Sequence, residues 1–483
     1  MAEPLTFWIE DGPNVSAKVW AARILARIAG FPFIVRVIPY DVAPGRGPAV
    51  YYGSLFTPDA IVIRPSGYFS ADPSMPSLVP LRPSGELDGS PVLFGEGGWR
   101  LDQVASVTTA DVLASAFYLA SRVEERAIRD RDGHARMPAT ASFLGRNGLL
   151  GRPLVDEYAI ALANQVHRLW PDMKQERPWP HQDQLAICVS HDIETLACPT
   201  RLGYMRHKQR VAIRHLMKGA VSDAVRSVGA GVVRGITGHN PSWSFDRLRF
   251  AIDPLPDTFY FFGGATSPRD GQYDAASSEI STVLRSLYGG GCEVGVHLGY
   301  ETGLDAARIA SQKETVENAL GAEVRGARYH YLRCMFPDAS KACAKAGLKY
   351  DASLGFADQP GFRGATSYPY CPFDFDTNKP LDIFEVPLVA MDGTFFQYQG
   401  LSADQTVSSV LSLVETVRRS GGVFTLLWHN TTVDPVDHPG PSQAYERIAG
   451  ALKTMPAWAS TNYGCVEQWR RYCRSLEVPS DQV

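Results

Sequence analysis

The sequence lacks the features that mark several large classes of protein. None of its 483 residues belongs to an apolar run of about 18, which argues against a membrane-spanning helix. The first residues, MAEPLTFWIEDGPN, contain neither a basic segment nor a long apolar one. They do not look like a secretory signal, so we expect a cytoplasmic protein. Because 47 Lys and Arg face 51 Asp and Glu, the net charge is −4, and we expect no nucleic-acid partner.

Cysteine is present eight times but never as a CxxC pair. This absence disfavours a zinc ribbon and a thioredoxin-like site. In a reducing compartment we expect free thiols, with Cys188 and Cys292 packed in the core because both lie in apolar runs. The chain also shows no repeat of fixed period, which disfavours a solenoid.

What the sequence does contain is an ordinary globular composition, 45% hydrophobic and 20% charged, over a length that suits two domains. A Pro-, Gln- and charge-rich segment at 171–185, PDMKQERPWPHQDQL, predicts a linker. We therefore predict an N-terminal α/β domain over 1–180 and a second domain over 181–483. The first should contain strands at FWIE, FIVRVI, AVYYG and AIVIR. Its helices should include 16–30, ended by Gly30, as well as 111–126 and 155–169.

The second domain alternates short apolar segments with segments of helical spacing. Seven strands are predicted: 185–190, 258–262, 292–297, 324–330, 348–353, 383–389 and 423–429. Strand and helix in alternation predict a parallel sheet, and seven such units favour a (β/α)7 barrel. A doubly wound open sheet is the alternative.

Polar residues cluster where these predicted strands end, which in a barrel is one rim. They are Asp192, Glu194, His297, Arg328, His330, Arg333, Asp351, His429 and Asn430. Imidazoles and carboxylates together suit a divalent metal ion that keeps one position for water. We expect Asp192 and Glu194 to lie on the turn that leaves the first strand, where both could reach one centre.

Such a rim can hydrolyse an amide or an ester. The metal ion activates water, a carboxylate accepts its proton, and an imidazole protonates the leaving group. Each residue also has a plainer interpretation: a structural histidine, a helix cap at Asp192, or an ion pair between Arg333 and Asp351. A glycoside hydrolase with two acids remains a weaker alternative, because that reaction does not need the histidines.

Five segments, in this order, resemble the polysaccharide deacetylase superfamily, the NodB-homology or carbohydrate esterase 4 group. They are VSHDIE, EVGVHLGYETG, GARYHYLR, LKYDASLGFADQPGFRGATSYPYCPFD and TLLWHN. SAFYLASRVEER and DGHARMPATASFLGRNGLLGRPLVDEYA are similar to the N-terminal domain of the branch found with bacterial surface-polysaccharide biosynthesis. The resemblance covers most of residues 100–430. It implies a distorted barrel and metal-dependent removal of an acetyl group from a sugar.

The resemblance also implies roles for individual residues. Asp192 matches the catalytic base, Arg328 the arginine that holds it, and His429 the general acid. Glu194 and His297 match metal ligands, and His330 could supply a third. Arg333, Asp351 and Tyr331 are the candidate substrate contacts. The ion we expect is zinc, with cobalt, manganese and nickel as alternatives.

The sequence departs from the family pattern at three positions. Glu194 stands where the nearest branch has Asp, and Glu301 where the broader family has its second metal histidine. His330 stands where that family has proline. These departures leave a second hypothesis open: a deacetylase-like scaffold that binds glycan but has lost catalysis.

A basic insertion at 199–240 interrupts the strand rhythm, with eight Lys and Arg and a single acid, Asp223. A solvated helical hairpin is the plain interpretation. The alternative is a surface for a phosphate-bearing partner: a nucleotide-linked or lipid-linked sugar, or an anionic membrane touched peripherally. The predicted function is thus deacetylation of a sugar intermediate in surface-glycan biosynthesis.

Overall fold

The structure is a computed structural model that describes residues 3–40, 42–45, 47–55, 57–72, 80–101, 105–196, 201–217, 219, 221–237 and 240–479. The strands are β1 (Leu5–Glu10), β2 (Phe33–Ile38), β3 (Ala49–Tyr52), β4 (Ala60–Ile63), β5 (Gly85–Leu87), β6 (Ser90–Val92), β7 (Trp99–Leu101), β8 (Ala105–Thr108), β9 (Ala186–Ile193), β10 (Asp257–Phe262), β11 (Glu293–Leu298), β12 (Gly326–Tyr329), β13 (Tyr350–Leu354), β14 (Phe373–Asp374), β15 (Lys379–Pro380), β16 (Phe384–Pro387), β17 (Ala390–Met391), β18 (Val423–Leu427) and β19 (Trp458–Ala459).

The α-helices are α1 (Val15–Ala29), α2 (Val112–Ala120), α3 (Glu124–Ala127), α4 (Phe143–Arg146), α5 (Leu154–Leu169), α6 (Arg201–Met217), α7 (Val221–Thr237), α8 (Phe245–Ile252), α9 (Ser278–Gly289), α10 (Ala306–Leu320), α11 (Asp338–Lys345), α12 (Ala403–Ser420), α13 (Pro439–Thr454) and α14 (Asn462–Leu476). Within the described ranges, none of these helices combines the length and apolar character needed to cross a membrane.

The N-terminal segment forms a sheet of its own, in the order β2-β1-β3-β4-β8-β7. The pairs are parallel except β7 with β8. Apolar strand segments and the amphipathic α1 fall where the sequence predicts them, and Gly30 ends α1 in the left-handed conformation at φ 82°. The helix predicted over 111–126 is instead broken: α2 ends at Ala120, and Arg122 takes a positive φ of 58° before α3.

The second sheet has the order β16-β13-β12-β11-β10-β9-β18-β17, and β19 also pairs with β9. All of its pairs are parallel. Its two edge strands, β16 and β17, are joined by only Leu388 and Val389. Because such a link spans at most roughly 10 Å, the two edges must approach each other. The sheet is therefore curled, as expected for a distorted (β/α) barrel.

The structure differs from the predicted strands in two ways that matter for the site. The two-residue strands β17 and β19 raise the count above seven, and segments this short carry no detectable period. β9 continues to Ile193, three residues beyond the predicted end. The expectation that Asp192 lies on a turn is therefore wrong: it is a strand residue that pairs with Tyr260 of β10.

The two sheets share buried apolar residues. One continuous cluster includes Phe7, Trp20 and Phe117 on the N-terminal side and Phe259 and Phe373 on the other. The indole of Trp20 packs against Phe373 at 5.6 Å between ring centroids. Separation into two domains near residue 180 stays a prediction.

The predicted linker at 171–185 is packed against the second sheet. Trp179 is buried, stacks on Trp458 and donates from Nε1 to the Gly421 carbonyl at 2.7 Å. The segment joins the two parts of the chain without separating their cores. Among the described residues seven cysteines are free, and Cys188 and Cys292 are buried as predicted; Cys198 lies outside those residues.

Candidate functional site

Five side chains converge at the carboxyl ends of the parallel strands; we call them the site cluster: Asp192, Glu194, His297, His330 and His429. They come from β9 and β11 and from the segments that follow β9, β12 and β18. Because parallel strands end at the same edge of a sheet, residues far apart in sequence meet there. Asp192 and Glu194, two residues apart at the end of one strand, both face this cluster.

Asp192 is a buried carboxylate held by a buried arginine. Arg328 Nη1 donates to Asp192 Oδ1 at 2.9 Å and to Ser190 Oγ at 2.9 Å, and its Nε donates to the Ala352 carbonyl at 3.0 Å. Burial raises the pKa of Asp192, but the charges of Arg328, His297 and His429 outweigh it, so the pKa lies below its ordinary value. Asp192 is therefore ionised at neutral pH.

His297 presents an unpartnered ring nitrogen to the cluster. Its Nδ1 lies 2.9 Å from the Arg328 carbonyl, which can only accept, so the proton is on Nδ1. Nε2 is buried without a hydrogen-bond partner and lies 3.8 Å from Asp192 Oδ2. Burial lowers the pKa of His297 to about 4, which keeps the ring neutral and its Nε2 lone pair available.

His330 is oriented by a carboxylate on a different loop. Its Nδ1 donates to Asp270 Oδ1 at 2.7 Å, which turns Nε2 to within 3.4 Å of Glu194 Oε1. Burial lowers the pKa of His330, but the hydrogen bonds to Asp270 and Glu194 raise it by more than burial lowers it. The pKa of His330 therefore lies above its ordinary value. Tyr331 and Leu332, which follow at once, have positive φ values of 60° and 52°. A strained turn therefore aims this ring at the cluster.

Asp270 is itself fixed by a dense set of donors. It accepts from Thr266 N and Oγ1, from Ser267 N and from Tyr300 N, at 2.7 to 2.9 Å. A Cβ at Gly299 would lie 2.9 Å from Asp270 Oδ2, so glycine lets this loop approach the end of β11. The pKa of Asp270 lies well below its ordinary value because these hydrogen bonds, led by that from His330, outweigh its burial.

Glu194 is the most exposed carboxylate of the cluster. Oε1 lies 3.4 Å from His330 Nε2 and 3.5 Å from His429 Nε2, and the backbone N–H is held at 3.0 Å by Asn430 Oδ1. Burial raises its pKa, but His429 and His330 lower it to about 2. Glu194 is thus an anion with one oxygen directed at the histidines.

His429 follows β18 and is bound by a second buried carboxylate. Its Nδ1 donates to Asp392 Oδ1 at 2.6 Å, and Nε2 lies 4.0 Å from Asp192 Oδ2. Asp392 also accepts from Thr432 Oγ1 at 2.5 Å. Burial lowers the pKa of His429, but Asp392 and Glu194 raise it to about 10. At neutral pH this imidazole is therefore positively charged, next to the carboxylates of Asp392, Glu194 and Asp192.

Three members of the cluster have the donor set of a metal site. One ligand atom each of Glu194, His297 and His330 lies within 4.8 Å of the others. Two nitrogens and one oxygen suit zinc and related divalent ions. The unpartnered Nε2 of His297, buried and directed at anions, gives an independent reason for a cation there. The residues present therefore fit the metal ion that the sequence implies.

A cavity of about 150 Å³ opens onto the cluster. Asp192, Glu194, Tyr331 and His429 line it, together with Tyr398. Its size suits a small group, such as one acetyl group, with the rest of a substrate outside.

The N-terminal part of the chain also reaches this cavity, through Arg136. Its Nη1 donates to the Tyr331 carbonyl at 2.7 Å, Nη2 to Tyr398 Oη at 2.8 Å and Nε to Asp132 at 2.8 Å. Arg136 thus ties three segments of the rim together.

The candidate substrate contacts separate into two groups. Tyr331 lines the cavity. Arg333 lies beside it, donating to the carbonyls of Tyr300 at 2.7 Å and His134 at 3.2 Å, with its guanidinium 4.7 Å from the Tyr300 ring centre. Arg333 therefore positions the rim.

Asp351 does not reach the cavity. It is fully buried, and its Oδ1 accepts from Ser353 N at 2.9 Å and Oγ at 2.5 Å. Burial raises its pKa to about 6. Because Arg333 uses its donors elsewhere, the alternative of an ion pair between Arg333 and Asp351 is wrong, and we leave Asp351 out of the proposed site.

Three residues of the site were missed by sequence reasoning. Asp392 follows the two-residue strand β17, and its position after an apolar segment, VAMDG, was a usable signal. Asp270 lies eight residues beyond β10, and Arg136 lies in the N-terminal part; nothing local marks either of them. Glu301 is exposed, and its N–H donates to Thr266 Oγ1 at 2.9 Å, so the cluster does not include it.

The chain resembles known proteins only in part of its length or at low sequence identity. A family of unknown function, DUF7033, matches residues 16–171. No curated protein matches the chain.

Among solved structures, a protein assigned as a polysaccharide deacetylase from Mycobacterium smegmatis has 17% identity and a TM-score of 0.41 over 62% of this chain and 94% of its own. PuuE allantoinase has 15% identity and a TM-score of 0.40 over 62% and 94%. A family 4 carbohydrate esterase from Streptomyces lividans, solved with acetate, has 14% identity and a TM-score of 0.27 over 57% and 92%. Values this low carry no argument about function, which must rest on the site.

Proposed function

We propose that this protein is a metal-dependent deacetylase that removes an N- or O-acetyl group from a sugar. One observation carries the proposal. The buried, unpartnered Nε2 of His297 faces Asp192, a carboxylate held ionised by Arg328, within a cluster that also contains a protonated His429. Hydrolysis of an acetyl group needs these three elements together: a cation site, a base and an acid.

Glu194, His297 and His330 would hold the divalent ion, with zinc as the first choice. When bound, such an ion polarises the acetyl carbonyl and makes water a better nucleophile. His297 and Glu194 are ready as ligands at neutral pH, because one is neutral and the other ionised. His330 must give up any proton on Nε2, and its bond to Asp270 fixes which nitrogen that is.

Asp192 is the general base of the proposal. It is ionised, and its Oδ2 points towards His297 and His429 while Oδ1 is held by Arg328. A water molecule in the cavity can therefore give its proton to Oδ2. Arg328 keeps the carboxylate in place and acts as a positioning residue.

His429 is the general acid. Its Nδ1 is occupied by Asp392, so the proton it can donate is on Nε2, at the wall of the cavity. Donation to the leaving nitrogen or oxygen completes the cleavage of the acetyl bond. The two carboxylates nearby keep this ring charged until substrate arrives.

We further propose that the substrate is a sugar intermediate of bacterial surface-glycan biosynthesis, linked to a nucleotide or a lipid, handled in the cytoplasm. The five ordered segments that resemble carbohydrate deacetylases support this assignment. The alternative, a glycan-binding scaffold without activity, was motivated by Glu194 and Glu301. It is weakened because His330 supplies a third ligand atom beside Glu194.

Metal content and acetate release test the proposal together. The purified protein should contain a divalent ion, and His297→Ala should lose it. Asp192→Asn should keep the ion but release acetate from acetylated sugars about 10² to 10⁴ times more slowly.

Asp404→Asn is the matched control, since this exposed acid pairs with Arg447 away from the site, and it should behave as the parent protein. A protein that binds no divalent ion, or an Asp192→Asn variant with unchanged turnover, would exclude the assignment.

A further inference from the structure

The basic insertion folds into two helices, α6 and α7, which we call the basic hairpin. It leaves the sheet beyond β9, just after Glu194. Midway along α6, Lys208 pairs with Asp437 at 2.8 Å, in the segment that follows His429. Asn240, after α7, donates to the Leu196 carbonyl at 3.2 Å. The hairpin is therefore mounted on the same rim as the site cluster.

The hairpin exposes an apolar stripe. Val221, Val225, Val228, Val232 and Ile236 are all exposed, with Val225 68% and Ile236 76% accessible. Their spacing of three or four residues places them on one face of α7. The buried residues of this helix, such as Ala224 and Ala230, lie on a different face. A soluble surface rarely carries such a stripe without a partner.

The other helix carries a row of positive charge. Arg206, Arg210 and Arg214 are exposed and recur every fourth residue, so their guanidinium groups are neighbours on one face. Like charges in this arrangement repel one another, and α6 contains no acidic residue to offset them. Met217, at the end of the helix, is 82% accessible.

We infer that the basic hairpin docks on an anionic lipid bilayer. Exposed aliphatic side chains on α7 and a row of arginines on the adjoining α6 match the interface of a membrane, where apolar groups enter the headgroup boundary and cations meet anionic lipids. A protein partner would need pockets and hydrogen bonds, whereas the stripe offers branched aliphatic side chains and no described acid. Peripheral docking also agrees with the lack of a membrane-spanning helix among the described residues.

Docking in this way places the site rim near the lipid headgroups. This consequence rests on the proposed function: of the two substrate forms considered, it favours the sugar carried by a membrane lipid. The docking itself needs neither catalysis nor the metal ion.

Vesicle co-sedimentation of the full chain tests the inference. The protein should bind vesicles of phosphatidylcholine with an equal amount of phosphatidylglycerol, bind pure phosphatidylcholine far less, and be released as salt rises. The variant Arg206→Glu, Arg210→Glu, Arg214→Glu should bind the anionic vesicles about 100-fold more weakly or worse, since each basic residue strengthens binding about fivefold.

The matched control is the variant Lys345→Glu, Lys349→Glu, Lys453→Glu, which changes the net charge equally at exposed sites outside the hairpin. It should bind as the parent does. If the control loses binding as strongly as the arginine variant, net charge explains the effect and the docking face is wrong.

The apolar stripe has its own test. The variant Val221→Gln, Val225→Gln, Ile236→Gln keeps the charge and should still lose at least tenfold in vesicle binding, because buried apolar area contributes to docking. Substitution of the exposed residues Val37, Leu101 and Leu304 by Gln should leave vesicle binding unchanged. Unchanged circular dichroism and Tm for each variant exclude unfolding as the cause.

The outcomes separate docking from catalysis. Asp192→Asn protein should bind vesicles as the parent does, so docking can stand even if no acetate is ever released. Absence of vesicle binding, or equal binding to neutral and anionic vesicles, overturns the inference. Retention on heparin without vesicle binding also overturns it, in favour of a soluble polyanion.

Discussion

The site cluster and the basic hairpin hold their charges in opposite ways. In the cluster, carboxylates and imidazoles are largely buried and lie within about 4 Å of one another, as with Glu194 Oε1 and His429 Nε2 at 3.5 Å. On the hairpin, like charges stand in an exposed row beside apolar side chains. The charged groups of the cluster are partnered by one another or by Arg328, Asp270 and Asp392. The exposed arginines of α6 have no acid in their own helix and the valines of α7 are exposed, so another surface can supply both a countercharge and an apolar cover.

The two regions should therefore respond differently to substitution. A buried charge without a partner is energetically unfavourable, so the stability of the fold should be sensitive to the loss of any one partner in the cluster. Exposed charges are screened by water and salt. Substitutions on the hairpin should therefore change the free energy of unfolding little, while they weaken binding to the lipid bilayer.

The largest expected effect is on the central ion pair. Arg328→Met removes the only arginine hydrogen-bonded to the buried Asp192 among the described residues, and it should lower the free energy of unfolding by about 3–5 kcal/mol. Urea unfolding followed by circular dichroism measures it. Adding Asp192→Asn should recover part of the loss, because no lone charge then remains.

Arg418→Met is the control for that experiment, because Arg418 pairs with Glu415 on the exposed surface of α12. It should leave Tm unchanged. A loss from Arg328→Met no larger than this control would show that the buried pair does not stabilise the fold.

The next largest effect is expected on the pKa of His429. Asp392→Asn removes the carboxylate that does most to raise the pKa of His429 to about 10, and that pKa should fall by roughly one to three units. Its folded pKa exceeds the ordinary 6.5, so the stabilisation is complete below 6.5 and lost as pH rises through 10. In metal-free protein the alkaline loss of Tm should therefore begin at lower pH in the variant.

Ring NMR of His429 measures the shift directly. Asp404→Asn, which removes an exposed acid, should leave the titration unchanged. A titration identical in Asp392→Asn would show that Asp392 does not hold the proton on this ring.

A smaller effect, on the affinity for a metal ion, is expected at Asp270, which contacts the proposed metal ligand His330. Asp270→Asn weakens the bond that orients His330, and affinity for zinc should fall about 10- to 100-fold. Competition with a chelator measures it without any substrate. Asp274→Asn, an exposed acid of the same loop, is the matched control. Equal affinity in both variants would remove His330 from the ligand set.

The smallest effect is expected on the hairpin. Val225→Gln with Ile236→Gln should change the free energy of unfolding by less than about 0.5 kcal/mol, since both side chains are already exposed. Val296→Gln in β11, a buried position, is the comparison and should destabilise strongly. If the Val225→Gln, Ile236→Gln variant lost as much free energy of unfolding as Val296→Gln, another part of the chain would have to cover the stripe.

Much of the scaffold could be predicted from local pattern. Alternating apolar segments and helices indicated the parallel sheet, and all seven predicted strands end within three residues of those observed. The first strand did not stop where its apolar segment stopped: His191, Asp192 and Ile193 continue it, because β10 pairs with all three. Polar residues in a strand are tolerated when tertiary partners satisfy them.

The site was predictable to a similar degree. Residues placed at strand ends, such as Asp192, His297 and His429, do meet, because a parallel sheet brings strand ends to one edge. Asp270 and Arg136 were not predictable, because a loop and a distant segment reach the rim only through folding. Asp351 shows the reverse error: a polar residue on a strand whose side chain lies beneath the rim.

The sequence by itself determined the alternation of strands and helices, the order of the polar segments along the chain, and the charge and apolar spacing of the hairpin. Each of these is a property of neighbouring residues, and short-range periodicity expresses it. Only the tertiary structure decided which carboxylate holds which histidine, which ring nitrogen is left without a partner, and which apolar face stays exposed. These depend on distances between residues that are far apart in the chain, and no local pattern encodes such distances.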